Sequence, residues 1–196
     1  MSWNYKTPGI PDELFFRTEN VPITKEEIRS IVVSKLRLKE NGSVIDIGCG
    51  SGSITVELCI QCSKGKIYAI DLDSDAIDLT RKNLQKFNVN AEIIYGNALE
   101  VLDRLPNVDN IVVGGTTGHT ENIITKSIDK LNKDGRLVVT SILIETMYKV
   151  MMKLRESDRI VDLDFTQVSI LKGRNTKTGT MRLARNPVLI ISATRL

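Results

Sequence analysis

Ser43-Val44-Ile45-Asp46-Ile47-Gly48-Cys49-Gly50-Ser51-Gly52-Ser53 is the stretch that decides the fold. The β-branched run from Val44 to Ile47 reads as a buried parallel strand, and it feeds directly into glycines at alternate positions. A helical pattern follows at once. A strand that turns through glycines into a helix start brings bare backbone N–H groups, and the positive end of the helix, up to a ligand. The spacing departs from the dinucleotide fingerprint Gly-x-Gly-x-x-Gly. Ser53 stands where its third glycine would be, and Gly52 arrives one residue early. Asp46 adds a carboxylate where a pyrophosphate would be repelled. An Asp-x-Gly-x-Gly-x-Gly loop therefore suits a ligand with a cationic amino-acid end and no phosphates, and S-adenosylmethionine is that ligand.

Downstream, strands and helices alternate. Residues 66–71 form a second strand ending on Asp71, and Ser74 starts a helix with Ile77, Thr80, Leu84 and Phe87 on one side. Residues 91–95 form a third strand closed by Gly96-Asn97-Ala98, with a short helix over 99–103 before Pro106. Residues 110–113 form a fourth strand opening into Gly114-Gly115-Thr116-Thr117-Gly118. A helix over 121–131 stops at Asp134-Gly135, residues 136–140 make a fifth strand, and Met147, Val150, Met151 and Leu154 mark the next helix. Residues 160–171 alternate as a strand whose apolar phase shifts between Phe165 and Val168, which predicts a bulge or two segments. The last strand covers 187–192. Five strand–helix repeats, then two strands without helices, predict an α/β, Rossmann-like sheet of seven strands, mainly parallel with an antiparallel C-terminal end.

Upstream of the loop, Pro8, Pro11 and Pro22 bar regular helix, so residues 1–23 read as an arm that is an ordered loop or is draped over the domain. Thr24-Lys25-Glu26-Glu27 reads as a capping box, with Thr24 as N-cap, followed by the apolar stripe Ile28, Ile31, Val32 and Leu36. The whole, residues 1–196, reads as a single domain. It has the arm at one end and a basic hairpin or loop, residues 172–187, near the other.

The chain has 41% hydrophobic and 26% charged residues and a formal net charge of +3, which fits one α/β domain with a full core and an ordinary soluble surface. No apolar run approaches the ~18 residues that span a bilayer. The N-terminus lacks an apolar signal core, so the expected location is cytoplasmic. Cys59-x-x-Cys62 has no second ligand pair, and the chain holds a single histidine. Cys49, Cys59 and Cys62 therefore read as buried structural thiols, with no protein-bound metal.

In an open α/β sheet the ligand lies beyond the carboxyl ends of the strands, where strand order switches. Every polar or glycine-rich signal falls at such an end. Asp71, about 20 residues past the loop, is placed to accept both ribose hydroxyls. Asn97 and Ala98 end the third strand, where an amide side chain or backbone groups read an adenine edge. Gly114-Gly115 forms a wall near the sulfonium, and Gly115 and Thr116 are candidate substrate contacts.

The chain also resembles a family. Asp46 to Gly52 and Asp71 are shared with class I methyltransferases. From Gly9 to Ser192 it is similar to the decarboxylating cobalt-precorrin-6B methyltransferases of cobalamin synthesis. The specific part is Gly9-Ile10-Pro11-Asp12-Glu13, Val21 to Arg29, and the pairing of Gly179-Thr180-Met181 with Asn186-Pro187-Val188; Leu143-Ile144-Glu145-Thr146 and Gly173-Arg174 continue it. The resemblance implies that Thr24, Gly48, Cys49, Gly50, Ser51, Gly52, Asp71 and Ala98 contact S-adenosylmethionine. Asn97 stands where the family often has aspartate, and its amide oxygen can still accept. The implied reaction methylates C-15 of a ring-contracted tetrapyrrole and removes the carboxyl of its C-12 acetate. It needs no metal and no nucleophilic side chain, and the sequence nominates no proton donor. His119 reads as a solvated loop residue or a helix-start neighbour.

Arg174, Arg182 and Arg185 cluster with Lys172 and Lys177 between the last two strands. This is either a solvated face or, with Arg174 and Arg182 as contacts, a clamp for substrate carboxylates or a subunit joint. The resemblance implies a homotetramer built through this region. The alternatives are a methyltransferase acting on tRNA or protein, or a non-catalytic nucleotide-binding assembly subunit. Against the first, an Asn/Asp-Pro-Pro-aromatic segment is missing after the fourth strand and aromatics are only 5% of the chain, so no nucleic-acid partner is expected.

Overall fold

A computed structural model describes residues 3–196. Its strands are β1 (Ser43–Ile47), β2 (Lys66–Asp71), β3 (Glu92–Tyr95), β4 (Val108–Val113), β5 (Leu131–Ser141), β6 (Ile160–Val168), β7 (Leu171–Thr176), β8 (Gly179–Ala184) and β9 (Val188–Arg195). The helices are α1 (Glu26–Leu36), α2 (Ser53–Gln61), α3 (Ser74–Phe87), α4 (Ala98–Arg104), α5 (Thr120–Lys130) and α6 (Ile144–Arg155). A seven-stranded sheet has the order β3-β2-β1-β4-β5-β9-β6, and β7 and β8 form a separate two-stranded sheet. Strands β1 to β5 pair in parallel, while β9 runs antiparallel between β5 and β6. This is the Rossmann-like α/β fold that the sequence predicts.

The sheet is central because its inner strands are apolar on both faces. Ile45, Ile47, Ile111 and Val113 pack with Ile124, Met147 and Val150 on one side. Val44, Val112 and Val138 pack with Ile28, Val32 and Leu58 on the other. Helices α4, α5 and α6 thus cover one face, and α1, α2 and α3 the other. Strand order reverses at the β1–β4 pair, whose register ends at Ile47 opposite Val113, and the chain ends there open a crevice for a ligand.

Three local readings are corrected. The capping box does not form: α1 starts at Glu26 with Lys25 as its N-cap and no side-chain cap. Glu27 turns instead to Lys172, at 2.8 Å, and Arg185, at 3.1 Å, because two cations from the hairpin outbid one backbone N–H. Asp134-Gly135 lies inside β5 rather than closing α5. Val108 pairs with Leu131 and Asn110 with Arg136, so residues 132–135 bulge out, with Asp134 at φ +62°. In β6 the register shifts between Val161 and Asp164, at Asp162 (φ +50°), which is earlier than the apolar phase predicts; a break before β7 then divides the run as well.

The arm is tied down by buried polar groups. Arg29 of α1 is fully buried. It donates to Asp12 Oδ1 at 2.8 Å and to Glu57 Oε1 at 2.9 Å, and also to the carbonyls of Ile10 and Thr24. Glu57 accepts the N–H groups of Gly9 and Ile10 in addition. Phe15 stacks beneath the guanidinium, 4.7 Å from ring centroid to Cζ, which adds a cation–π contact.

Candidate active site

The glycine loop adopts the backbone that only glycine enters cheaply. Gly48, Gly50 and Gly52 all have positive φ, at +71°, +55° and +73°. A Cβ on Gly48 would stand 2.9 Å from the N of Gly115, and one on Gly52 2.8 Å from Thr80 Oγ1. The loop therefore lies directly against the end of β4 above it and against α3 below it.

Four groups hold that position. The N–H groups of Gly48 and Cys49 both donate to the carbonyl of Ile70. Gly50 N–H donates to Asp71 Oδ2 at 2.8 Å, while Asp73 N–H donates to the other carboxylate oxygen at 3.1 Å. From α3, Thr80 Oγ1 donates to the carbonyl of Gly50, and Asn83 Nδ2 donates to the carbonyl of Ser51 at 2.8 Å. Asn83 is fully buried and also exchanges both backbone bonds with Phe16 of the arm, at 2.8 and 3.1 Å. One side chain thereby couples the arm to the loop. Sequence reasoning passed over Asn83; its signal is a polar residue three positions after Thr80 on the buried side of α3.

Asp46 does not meet the ligand as its position before the loop suggests. It is only 1% exposed, turned beneath the loop, and accepts a 2.6 Å hydrogen bond from Thr55 Oγ1. Burial pushes its carboxyl up to about 7; Asp71's charge adds to the rise and the Thr55 bond opposes it. The thiols are likewise buried. Burial drives Cys49 far up, Cys59 to about 12 and Cys62 to about 11, so all three stay protonated and unreactive.

Two cavities meet at the loop, sharing Pro22, Gly48, Gly50, Gly114, Gly115 and Thr117. The smaller, about 220 Å³, is rimmed by Asp71, Leu72, Asp73, Gly96, Asn97 and Ala98. Asn97 is the N-cap of α4, its side chain accepting from Leu99 N–H at 3.0 Å, which leaves its amide NH₂ as the free group there. The larger cavity, about 830 Å³, is bordered by Thr24 and the loop, by Gly115 and Thr116 after β4, and by the start of α6. Thr116 is buried, its hydroxyl 2.9 Å from that of Thr120. Ser51 Oγ on this wall is buried without a hydrogen-bond partner among the described residues. Gly52, beneath the loop against Thr80, lines neither cavity. His119 occupies the N-cap position of α5, makes no side-chain cap and lines neither cavity.

The structure separates Arg174 and Arg182 from the site. They lie on β7 and β8, where Gly173 pairs with Arg182 and Arg174 with Met181, and neither borders either of these two cavities. The cations that do border the larger cavity are Lys25, Lys149 and Arg185. Arg185 and Lys172 pair with Glu27, and Lys172 also with Glu26, which clips the hairpin to the start of α1. Burial raises the Glu27 carboxyl, but the two cations more than offset this and hold it below its usual range. Ile142 and Leu143 add an apolar lip, each more than half exposed.

The sequence profile described as precorrin methyltransferase domain matches residues 15–189. A Saccharolobus solfataricus protein named probable cobalt-precorrin-6B C(15)-methyltransferase (decarboxylating) is 46% identical over 196 residues, covering 98% of each chain. Among solved structures, a precorrin-8W decarboxylase of Methanobacterium thermoautotrophicum superposes with a TM-score of 0.89 at 36% identity, over 95% of this chain and 100% of the other. A precorrin-6Y C5,15-methyltransferase of Geobacter metallireducens gives 0.91 at 31% identity, over 98% and 100%.

Proposed function

The chain belongs to the precorrin methyltransferase family, and on that premise we propose that it transfers a methyl group from S-adenosylmethionine to C-15 of cobalt-precorrin-6B and releases the carboxyl of the C-12 acetate as carbon dioxide, in cobalamin biosynthesis. The observation that carries this reading is the pair of joined cavities. One has room for a nucleoside beside a carboxylate, and the other is far larger, apolar-walled and cation-rimmed.

The residues fit the methyl donor. Asp71 accepts two backbone N–H groups and keeps lone pairs for ribose hydroxyls. Asn97 and Ala98 flank the adenine. The unpartnered Ser51 hydroxyl meets the amino-acid end, with Thr24 opposite. S-adenosylmethionine, when bound, supplies a methyl group already activated as a sulfonium. The protein then has to hold carbon and methyl at attack distance, and positioning of that kind supplies ~7–11 kcal/mol. The macrocycle lies in the larger cavity near Gly115 and Thr116, its rim carboxylates against Lys25, Lys149 and Arg185 and its apolar body against Ile142 and Leu143.

The same reading includes a homotetramer in the cytoplasm. A lone two-stranded hairpin is marginal in water, and Leu171, Met181 and Leu183 on β7–β8 are exposed, as is Phe165 on the edge strand β6. Subunit contacts through this hairpin cover them. Among the described residues no helix is long and apolar enough to cross a membrane.

Incubation with S-adenosylmethionine and cobalt-precorrin-6B, read by mass spectrometry, tests the function. The expected product gains one methyl and loses one carboxyl. A protein that binds the cofactor tightly and leaves the tetrapyrrole unchanged would refute the proposal.

A further inference from the structure

The two halves of the proposed reaction have complementary proton needs. Methylation of the bridge carbon breaks the donor's S–C bond, whose electron pair stays on sulfur, and makes the new C–C bond with a pair from the ring. The ring is left one positive charge richer, and loss of the bridge proton restores it. Decarboxylation breaks the bond between the acetate methylene and its carboxylate. Carbon dioxide departs, the electron pair passes to the methylene and the conjugated ring, and one proton must arrive to make a methyl group. The two needs cancel, so a single group that takes the first proton and returns it as the second balances the reaction with no outside acid or base.

The wall of the larger cavity offers few groups able to do this. Its titratable side chains are Lys25, Cys49, Glu145, Lys149 and Arg185. Lysine and arginine cations are donors only. Cys49 is turned under the loop against Thr80, 3.5 Å from its hydroxyl, and is buried. Among the described residues Glu145 is the one carboxylate on this wall. It sits in the first turn of α6, exposed, and Lys149 follows at i+4 on the same helical face, also bordering the cavity. A carboxylate accepts a proton and, once protonated, donates it. Its negative charge also opposes a neighbouring substrate carboxylate, which favours that group leaving as neutral carbon dioxide, while Lys149 keeps the rest of the rim anchored.

We propose that Glu145 is the catalytic acid–base group, carrying the proton from the methylated bridge carbon to the decarboxylated methylene. This rests on reading the larger cavity as the tetrapyrrole site. The test is a single-turnover comparison of wild type, Glu145→Gln and Glu145→Asp with cobalt-precorrin-6B, in which mass spectrometry counts added methyl and lost carboxyl separately. Calorimetry measures S-adenosylmethionine affinity in parallel. Glu145→Gln is expected to slow carboxyl loss by about 10²–10⁴-fold. A product that is methylated but keeps every carboxyl should accumulate, cofactor affinity should be unchanged, and Glu145→Asp should recover part of the rate. Glu145→Gln completing both events at the wild-type rate would overturn the inference. So would Glu145→Gln losing cofactor binding together with both events, since that marks a structural role. A wild-type enzyme that leaves the tetrapyrrole untouched would instead remove the reading of the cavity beneath it.

Discussion

Asn83→Ala isolates the coupling between arm and glycine loop. The side chain is fully buried and makes three bonds: it accepts from Phe16 N–H at 2.8 Å and donates to the carbonyls of Phe16 at 3.1 Å and Ser51 at 2.8 Å. Truncation leaves the Ser51 carbonyl unpaired in a buried setting, at about 1–3 kcal/mol, and the two partly buried Phe16 groups at about 0.5–1.5 kcal/mol each. The sum, about 2–6 kcal/mol, is a large share of a domain's stability and corresponds to roughly 4–24 °C in Tm for a chain of this size. The consequence specific to function is at the loop. With Ser51 released, the loop proposed to receive the methyl donor loses one of its two anchors from α3. Thermal denaturation followed by circular dichroism gives the first quantity. Isothermal titration with S-adenosylmethionine, at a temperature where the variant is folded, gives the second, with a weakening of roughly 10–100-fold expected for ~1.4–2.7 kcal/mol of lost preorganisation. A destabilised variant that binds the cofactor as tightly as wild type would show that the loop does not depend on Asn83, and the coupling argument would fail.

Asp46→Asn tests the buried carboxyl. Its acid form is favoured in the folded state up to about pH 7, whereas the unfolded chain releases the proton near pH 4, so stability falls as pH rises through that window. Asparagine keeps an acceptor for Thr55 and removes the penalty, so urea midpoints should lose this slope, with a gain approaching ~4 kcal/mol on the alkaline side; an unchanged slope counts against the assignment. Arg29→Met leaves Glu57 as a buried carboxylate without its cation and Asp12 with Lys25 alone, at 3.7 Å, and should cost about 3–5 kcal/mol in urea unfolding, with residues 9–16 opened to protease. A loss below ~1 kcal/mol would mean that the arm is held elsewhere. Met181→Asp with Leu183→Asp places charges on the exposed hairpin face and should yield monomers by light scattering; an intact oligomer would move the interface away from β7–β8.

The glycine loop was legible because its conformation is dictated by residue type. Three positive-φ positions carry three glycines, and the carboxylate closing β2 stands beside them. The sheet was legible from alternation alone, since apolar strands and helical patterns recur in a fixed order. The cationic rim was not. The crowded run Arg174, Arg182 and Arg185 was read as one cluster, with Arg174 and Arg182 as contacts, whereas of these only Arg185 lines the cavity, beside Lys25 and Lys149 from two other elements. No local pattern encodes such a meeting, though Glu145 and Lys149 at i+4 share one helical face. Glu57 did carry a signal: a lone carboxylate in the otherwise uncharged run Ile54-Thr55-Val56-Glu57-Leu58-Cys59, all of it buried, requires a buried cation, and Arg29 is that cation.

The buried polar groups explain why the arm belongs to the site and not merely to the surface. Phe16 is fixed by Asn83 and the Thr24 carbonyl by Arg29, so the segment between them is held at both ends. Within it, Pro22 borders both cavities, and its carbonyl lies 3.3 Å from where a Cβ on Gly50 would be. Any residue but glycine at position 50 would strain the loop and press on the arm as well. The same strap thus forms part of the wall of both cavities. On the proposed function, the buried charges that seat the strap would set the distance between a nucleoside in one cavity and a macrocycle in the other.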